Sequence, residues 1–455
     1  MSARPGGWGD RGAGPGTEGR GRAGAGCGRL RKLLAGAALA GLSGAGFPLR
    51  AGNVNSLPVP TEKSACYDPA VHNDLTGHLL FLYLVDSTGR VSGVRAIYKE
   101  VEPPAKEAKL VGHMIQCLEG WKYRPGMREG RTVEMGLMTP FHFFGLPPPD
   151  EPQIEIPGGK TIGRSRLDEM RAAKLRLVEH LLSGRQYTEA RGPGWELRTD
   201  LGAKDVNTVR RSLELAAQTF DAVFPGLPAV GEARPVTVVV FRDAGAHEQV
   251  VAFDNLIPDR NASSGLYSSY DRMLYTAKGL KPTEIVGNLL VHEMTHHLVE
   301  ERLYPGDRWA PRWVHEGIAE FMESLDYRRK EPGDFSALEK SRISGSGGIW
   351  KSSAEQRMGT LRDELKKGAL PPLEDLLSGG LDSKFNQADS AKYYAVSWLL
   401  VHYLINAEGG RYRVPFQAWM TGPQWGGDGE TLAAAIGRPL AGIETALPAY
   451  LEHLK

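Results

Sequence analysis

The sequence predicts an α+β protein in which a small β-β-α-β domain precedes a larger domain with a mixed sheet and a mostly helical C-terminal part. Three observations lead to this fold class. The 455 residues exceed one ordinary hydrophobic core, so two folded domains are the natural expectation. Segments with strand-like and helix-like apolar periods alternate along the chain. A proline-rich stretch near residue 150 separates a shorter set of these segments from a longer one.

The overall composition is that of a soluble globular protein. Hydrophobic residues make up 41% of the chain and charged residues 24%, and 55 basic residues against 54 acidic ones give a net charge of +1. This balance provides no electrostatic reason to expect binding to nucleic acid or to an anionic membrane. We therefore expect neither of them as a partner.

Residues 1–52 predict a disordered segment that leads into a signal peptide. The first part is rich in glycine and arginine and has no apolar period. Basic residues, Arg29 and Arg31 among them, then precede a short apolar run of small residues at 33–47. Such a run is typical of a secretory signal and is too short and glycine-rich for a secure membrane span. We expect an exported protein, periplasmic or secreted, without a transmembrane helix in the mature chain.

The cysteine content also bears on the compartment in which the protein resides. Three cysteines are too few and too scattered for a cysteine-based zinc site. Removal of the signal segment would leave Cys66 and Cys117. One hypothesis is a disulfide between them, which would imply an oxidising compartment, and the alternative is two buried, unpaired cysteines.

The first predicted domain covers residues 56–145. Its predicted elements are a hairpin over 77–98, a helix over 104–118 and a last strand over 131–144. Together with a corner formed by Trp121, Tyr123 and Pro125, and with Gly130 before the last strand, this order resembles the C-terminal domain of TonB-like envelope proteins. The resemblance implies an envelope setting and a protein-binding module, and it carries no catalytic residues. As individual side chains, Trp121 and Tyr123 are expected in the core.

Residues 146–193 predict a proline-rich linker and an amphipathic connecting helix that packs on the larger domain. The larger domain then occupies residues 194–455. Its first predicted elements are a strand over 195–199, a helix over 205–224, a buried strand over 235–241 and a hairpin over 264–276. We expect a strand of that hairpin to line a cleft.

An apolar run of helical period, from about residue 284 to 303, contains a His-Glu-x-x-His motif. His292 and His296 are one turn apart, which brings their side chains to one face of the helix, about 6 Å apart at Cβ. Two imidazoles in this arrangement can bind one zinc ion. Glu293 would then lie beside a metal-bound water and accept its proton.

A third ligand is needed for a zinc site. Glu300 lies one turn beyond the second histidine, which is too far along the helix axis from the first. The third histidine of metzincins is absent, because Arg302 occupies its place. The better candidate segment is residues 311–323, where a second helix is predicted to begin at a proline. Glu316 and Glu320 share one face of that helix, and nineteen residues after the motif allow an antiparallel return.

The motif, the nineteen-residue spacing and the pattern Trp-x-x-Glu-Gly-x-Ala together resemble the gluzincin metallopeptidases of the thermolysin and aminopeptidase N type. The resemblance implies a zincin-like fold for residues 194–455 and a Zn²⁺ ion as the cofactor. It also implies that His292, His296 and Glu316 are the metal ligands. In the same family, a carboxylate that corresponds to Glu320 supports a ligand histidine without binding the metal itself.

Two further histidines flank the expected ligands, namely His297 and His315. On an ideal helix each points about 100° away from its ligating neighbour. We therefore expect them to pack beside the site or to support it, without binding the metal themselves.

Peptide hydrolysis also requires a donor for the developing oxyanion. The aromatic helix around residues 391–404 resembles the catalytic-tyrosine helix of aminopeptidase N relatives, with Tyr394 at the position of the donor. A Val-Ser pair stands where the family has Lys-Gly. The alternatives are ordinary core packing of Tyr394, or Tyr393 as the donor.

The predicted function is a zinc-dependent metallopeptidase that acts on peptide or protein substrates, with a possible envelope partner for the first domain. The Gly-x-Met-Glu-Asn element, by which aminopeptidase N relatives bind a substrate amine, is missing from the sequence. This favours an endopeptidase or the cleavage of one dedicated partner. The alternatives are a non-catalytic envelope scaffold that binds a partner, and a zinc hydrolase that acts on another amide, such as one in the cell wall.

Overall fold

A computed structural model describes the chain from residue 54 to residue 454, with gaps. The described residues are 54–64, 66, 75–144, 151–156, 160–227, 235–254, 265–278, 286–304, 310–327, 335–338, 340, 342–343, 349–350, 352–379, 384–385, 389–422 and 429–454. The predicted signal segment at 1–52 and most of the proline-rich linker lie outside them.

The described part contains both strands and helices. The strands are β1 (Val54–Ser56), β2 (Val59–Glu62), β3 (Thr76–Val85), β4 (Val91–Glu102), β5 (Lys122–Arg124), β6 (Gly126–Arg128), β7 (Arg131–Val133), β8 (Met135–Phe143), β9 (Gln153–Ile156), β10 (Lys160–Gly163), β11 (Thr188–Gly192), β12 (Trp195–Thr199), β13 (Val236–Phe241), β14 (Gly265–Ser268), β15 (Met273–Ala277), β16 (Arg342–Ile343) and β17 (Ile349–Trp350). The α-helices are α1 (Glu107–Glu119), α2 (Arg164–Leu182), α3 (Ala203–Val223), α4 (Ala244–Phe253), α5 (Val286–Leu298), α6 (Arg312–Glu323), α7 (Ser353–Lys367), α8 (Leu373–Leu377), α9 (Ala391–Gly410), α10 (Arg413–Thr421), α11 (Gly429–Ile436) and α12 (Leu440–His453). This mixture, divided among several separate sheets, is compatible with the predicted α+β class.

The first sheet consists of β4, β3 and β8 in that order, with antiparallel pairing on both sides of β3. A tight turn joins β3 to β4, because one carboxylate oxygen of Asp86 accepts from the backbone N–H groups of Thr88 and Arg90 at 2.8 and 3.0 Å. Gly89 is required in this turn, since its φ is +86° and an added Cβ would meet the Tyr123 carbonyl oxygen at 1.8 Å. The predicted hairpin is therefore confirmed.

Helix α1 covers one face of this sheet with Leu110, Met114 and Leu118. A disulfide joins Cys66 to Cys117 near the end of α1, with the Cα atoms 5.6 Å apart, which confirms the hypothesis of a bond between them. Trp121 and Tyr123 are each 6% exposed and belong to the same core, as predicted. The predicted last strand is interrupted at residue 134, which separates β7 from β8.

The second large sheet has the order β11, β12, β13, β15, β14. Strands β12, β13 and β15 run parallel, and the outer strands β11 and β14 are antiparallel to their neighbours, so the sheet is mixed as predicted. Strand β13 is buried along its whole length, which its β-branched sequence favours. Helices α3 and α5 pack against each other, and α5 also contacts the edge strand β14.

The connecting helix α2 lies in a core that both large sheets share, which we call the joint core. Its members come from β3 and β4, from α2 and α4, and from β13 and β15, and are Leu80, Tyr98, Ala173, Leu177, Val178, Leu182, Val239, Phe241, Ala246, Val250, Val251, Phe253, Met273, Tyr275 and Ala277. Lys174 is buried at its edge and forms ion pairs with Asp254 and Asp271. The predicted packing of the connecting helix on the larger domain is correct, and the first sheet takes part in it.

The C-terminal part is mostly helical, as predicted. Helix α6 packs between α5 and α9, and α9 also contacts α7, α10 and α12. The helical backbone of α9 is interrupted near its end, at Ala407–Gly409. Over the residues that the structure describes, no helix combines the length and the apolar character needed to cross a membrane.

Candidate metal centre

Helix α5 presents two different faces. Leu290, Val291, Met294 and Leu298 are at most 2% exposed. They belong to a hydrophobic core that also includes residues of β13, α3, α6 and α9, which we call the main core, and this packing holds the helix in place. The opposite face carries the two motif histidines, whose ring centroids lie 4.9 Å apart. The helix extends as predicted towards residue 303, but its last turn, Val299–Leu303, has the π-helical hydrogen-bond pattern.

Helix α6 returns beside α5 and brings Glu316 to the motif. The Oε2 atom of Glu316 lies 3.7 Å from Nε2 of His292 and 3.6 Å from Nε2 of His296. The close crossing of α6 with α9 depends on Gly317, where an added Cβ would lie 2.8 Å from the Ser397 carbonyl oxygen. The structure thus brings together the three side chains that the sequence singled out as metal ligands.

The three donor atoms fit a zinc ion. Zinc–ligand distances of about 2.0–2.1 Å in a tetrahedral site correspond to donor–donor separations of roughly 3.3–3.4 Å, close to the separations observed here. All three donor atoms lie within 4.8 Å of one another, and the residues are buried or half-buried. Among the described residues, this group offers two imidazole nitrogens and one carboxylate oxygen, a donor set also found in catalytic zinc sites, which keep the fourth position for water.

The pKa values of the side chains in this group depend on one another. Burial would lower the pKa of His292, but the neighbouring carboxylates of Glu316 and Glu323 outweigh it and raise that pKa above its usual value. Burial lowers the pKa of His296. Burial alone would raise the pKa of Glu316, yet His296 and Arg312 hold it below its usual range.

Glu293 lies on the same helix and is held by the neighbouring sheet edge. Its Oε2 accepts a hydrogen bond of 2.7 Å from the backbone N–H of Tyr267 in β14, so the predicted hairpin does border the site. The side chain is 7% exposed, and burial raises the pKa of Glu293 to about 7. A carboxyl group with this pKa can both accept and return a proton near neutral pH.

The carboxylate that contacts the first motif histidine is Glu323, a residue that the sequence did not indicate. Its Oε2 lies 3.1 Å from Nδ1 of His292, and its Oε1 accepts a 2.6 Å hydrogen bond from Ser353. Glu320, which the resemblance implied for this role, accepts instead from Nε of Arg357 at 2.6 Å and from a second nitrogen of the same guanidinium. His292, Glu320 and Glu323 form a second group of donor atoms within 4.8 Å, but Arg357 and Ser353 already engage its carboxylates.

A second polar group lies on the other side of the motif. Glu300 accepts a 2.7 Å hydrogen bond from the Tyr267 hydroxyl and lies 3.8 Å from Nε2 of His315. Burial raises the pKa of Glu300 to about 8 and lowers the pKa values of His315 and His297 to about 4 and about 3. The ring of His315 is 5.5 Å from that of His296. Both flanking histidines thus pack beside the candidate ligands.

Tyr394 borders the site from α9. Burial raises its pKa, and the nearby charge of Glu316 adds to that effect, whereas the positive charge of Arg312 opposes it. Its ring packs edge-on against Phe385, with centroids 5.2 Å apart. Tyr393 is 6% exposed and lies in the main core, which leaves Tyr394 as the better-placed donor of the two.

The sequence matches no protein-family model, and no curated protein is significantly similar to it. A function for this centre is therefore inferred from its geometry and from the chemistry of its side chains.

Proposed function

We propose that this protein is a zinc-dependent metallopeptidase that hydrolyses internal peptide bonds. The observation that carries the proposal is the convergence of His292, His296 and Glu316 from two helices, with Glu293 held beside them. Glu316 Oε2 lies within 3.7 Å of both imidazole nitrogens. A structural zinc site is closed by four protein ligands, whereas this group offers three within the described part of the chain and has the buried carboxylate of Glu293 beside it.

Each residue has a distinct task in the proposed reaction. A bound zinc ion supplies positive charge that polarises a water molecule and the substrate carbonyl. Glu293 accepts a proton from that water and delivers it to the departing amine. Its hydrogen bond from the Tyr267 backbone fixes the carboxylate and leaves the second oxygen for the proton. Tyr394 donates to the developing oxyanion and, because its pKa is raised, carries its proton throughout the working pH range.

The finer architecture belongs to the same proposal. We assign residues 194–455 to a zincin-like fold, which the mixed sheet, its antiparallel edge strand β14 and the neighbouring helix α5 support. We assign residues 56–145 to a TonB C-terminal-like module that binds an envelope partner, which the β4-β3-β8 sheet and its covering helix support. Export to the periplasm or beyond is supported by the Cys66–Cys117 disulfide, since such bonds persist in oxidising compartments.

The decisive experiment compares Glu293→Gln with the wild-type protein. The variant should bind zinc in the same ratio but lose peptidase activity by about 10²- to 10⁴-fold, the contribution of a general base. Activity is measured on a library of internally quenched peptides, and zinc by elemental analysis after dialysis. Glu374→Gln is the matched control, because it makes the same change at an exposed position of α8.

Two outcomes would contradict the proposal. A Glu293→Gln variant that cleaves peptides at the parental rate would remove Glu293 from the mechanism. A wild-type protein that binds zinc but cleaves neither peptides nor envelope proteins would favour a partner-binding scaffold or a hydrolase of another amide.

A further inference from the structure

Arg312, the first residue of α6, contacts the carboxylate of Glu316 one turn further along the helix. Its Nε donates to Oε1 of Glu316 at 3.1 Å. The other oxygen, Oε2, faces the two motif histidines. The two oxygens of Glu316 therefore have different partners, one a guanidinium and the other the place where the metal would bind.

The same guanidinium reaches a second helix. Its positive charge lies near the hydroxyl of Tyr394 in α9 and opposes the rise in the pKa of that group. Its Cζ lies 5.8 Å from the centroid of Phe385, whose ring also packs against Tyr394. Arg312 thus connects the proposed third ligand with the proposed oxyanion donor.

The chemistry of a guanidinium gives both contacts a direction. Arginine has donors but no acceptor, so towards Arg312 the hydroxyl of Tyr394 can act only as an acceptor. The hydroxyl proton of Tyr394 is then directed to an acceptor other than Arg312. Similarly, Oε1 of Glu316 is occupied by a charge-assisted hydrogen bond, which disfavours binding of one metal ion by both oxygens.

An ordinary surface ion pair does not account for this arrangement. Exposed ion pairs one helical turn apart contribute little to stability unless their geometry is ideal or further charged groups join them. Here the Glu316 side chain is 9% exposed, and Arg312 is in contact with residues outside its own helix. Lysine would supply the charge but not the fixed fork of donors that can hold two acceptors at once.

We propose that Arg312 is a positioning residue of the metal centre: it restricts Glu316 to one metal-facing oxygen and turns the proton of Tyr394 towards the substrate. This inference rests on the proposed peptidase function for the role of Tyr394, and on metal binding alone for the role of Glu316.

The first test measures the metal site without any substrate. Arg312→Gln should weaken zinc binding by about 10- to 100-fold in competition with a chromogenic chelator, the usual effect of removing a group that orients a ligand. In the cobalt-substituted protein, the freed Oε1 would bind as well, so the visible absorption bands should weaken as the coordination number rises. Arg312→Lys should give an intermediate result, because it keeps the charge but only one directed contact.

The matched control is Arg362→Gln on α7, which removes an arginine paired with Glu452 at 3.8 Å, at a position 39% exposed. It should leave both the zinc affinity and the cobalt spectrum unchanged. The circular dichroism spectrum and thermal midpoint of each variant show that it is folded, and Arg312→Lys serves as the test if Arg312→Gln does not fold.

The second test is a double-mutant cycle with Tyr394→Phe. Each single variant should lower kcat with little change in KM, since both residues act on the transition state. If Arg312 orients Tyr394, the loss of Tyr394 should cost much less in the Arg312→Gln background than in the wild type.

Three outcomes would overturn the inference. They are an Arg312→Gln variant with parental zinc affinity and an unchanged cobalt spectrum, strictly additive effects of the two substitutions, and a wild-type protein that binds neither metal. A protein that binds zinc and cobalt but hydrolyses nothing would refute the proposed function, whereas the effect of Arg312 on Glu316 would still be measured.

Discussion

The contact between Glu323 and His292 leads to the most specific prediction. The Nδ1 and Oε2 atoms are 3.1 Å apart, and Ser353 holds the other carboxylate oxygen. When Nδ1–H donates to the carboxylate, Nε2 of His292 keeps its lone pair for a metal ion. Glu323→Ala removes the acceptor that fixes both the tautomer and the ring orientation.

The expected magnitude follows from the charge of the acceptor. A hydrogen bond to a charged group contributes about 1.5–3 kcal/mol, which corresponds to roughly a 10- to 100-fold loss of zinc affinity. Competition with a chelator at constant pH and ionic strength measures this loss directly. Glu323→Gln should lose less than Glu323→Ala, because its amide oxygen can still accept from the imidazole.

Glu320→Gln provides the comparison that can refute this reasoning. Both oxygens of Glu320 are bonded to Arg357, so the substitution should lower the urea midpoint of unfolding and leave zinc affinity nearly unchanged. If Glu320→Gln weakened zinc binding and Glu323→Ala did not, the carboxylate that orients His292 would be Glu320, as the family resemblance implied.

Two further predictions concern stability. Burial raises the pKa of Glu300 to about 8, from an ordinary value of 4.5. The folded state therefore holds this proton more tightly, so the stability from this group is fully present below pH 4.5 and is lost as the pH rises through 8. Glu300→Gln should reduce the loss of folding stability between pH 5 and 8 by a few kcal/mol, as measured by thermal unfolding. If stability depended on pH as steeply in this variant as in the wild type, Glu300 would not be the group responsible. Lys174→Met removes the buried cation that forms ion pairs with both Asp254 and Asp271, which should lower the free energy of unfolding by about 3–5 kcal/mol in urea. The exposed Lys204→Met is its control, and equal midpoints for the two variants would refute the estimate.

Local patterns predicted the elements around the centre well. The run of β-branched residues before Phe241 forms the buried strand β13, and the apolar period before residue 303 forms α5. The proline at 311 directly precedes α6, as expected from its preference for the start of a helix. These features are determined by residues close to one another along the chain, so they can be predicted from a single sequence.

Features that depend on distant residues were not predictable in the same way. Glu320 and Glu323 lie three positions apart on α6, and both can reach the neighbourhood of His292. The choice between them is made by Arg357, on a helix that begins thirty residues after Glu323. Likewise, the π-helical turn ends in a backbone bond from Tyr304 to Val299 that no apolar pattern distinguishes from an ordinary helix end.

The joint core has a consequence for how the two halves of the chain respond to each other. Leu80 of β3 and Met273 of β15 belong to one apolar cluster, so opening either sheet would expose surface that the other covers. We expect hydrogen exchange to report one cooperative unit that spans both sheets. A molecule that binds the first sheet only when this sheet is folded would therefore also slow the opening of the second sheet, which lies beside α5. We expect it to slow the loss of a bound metal for the same reason.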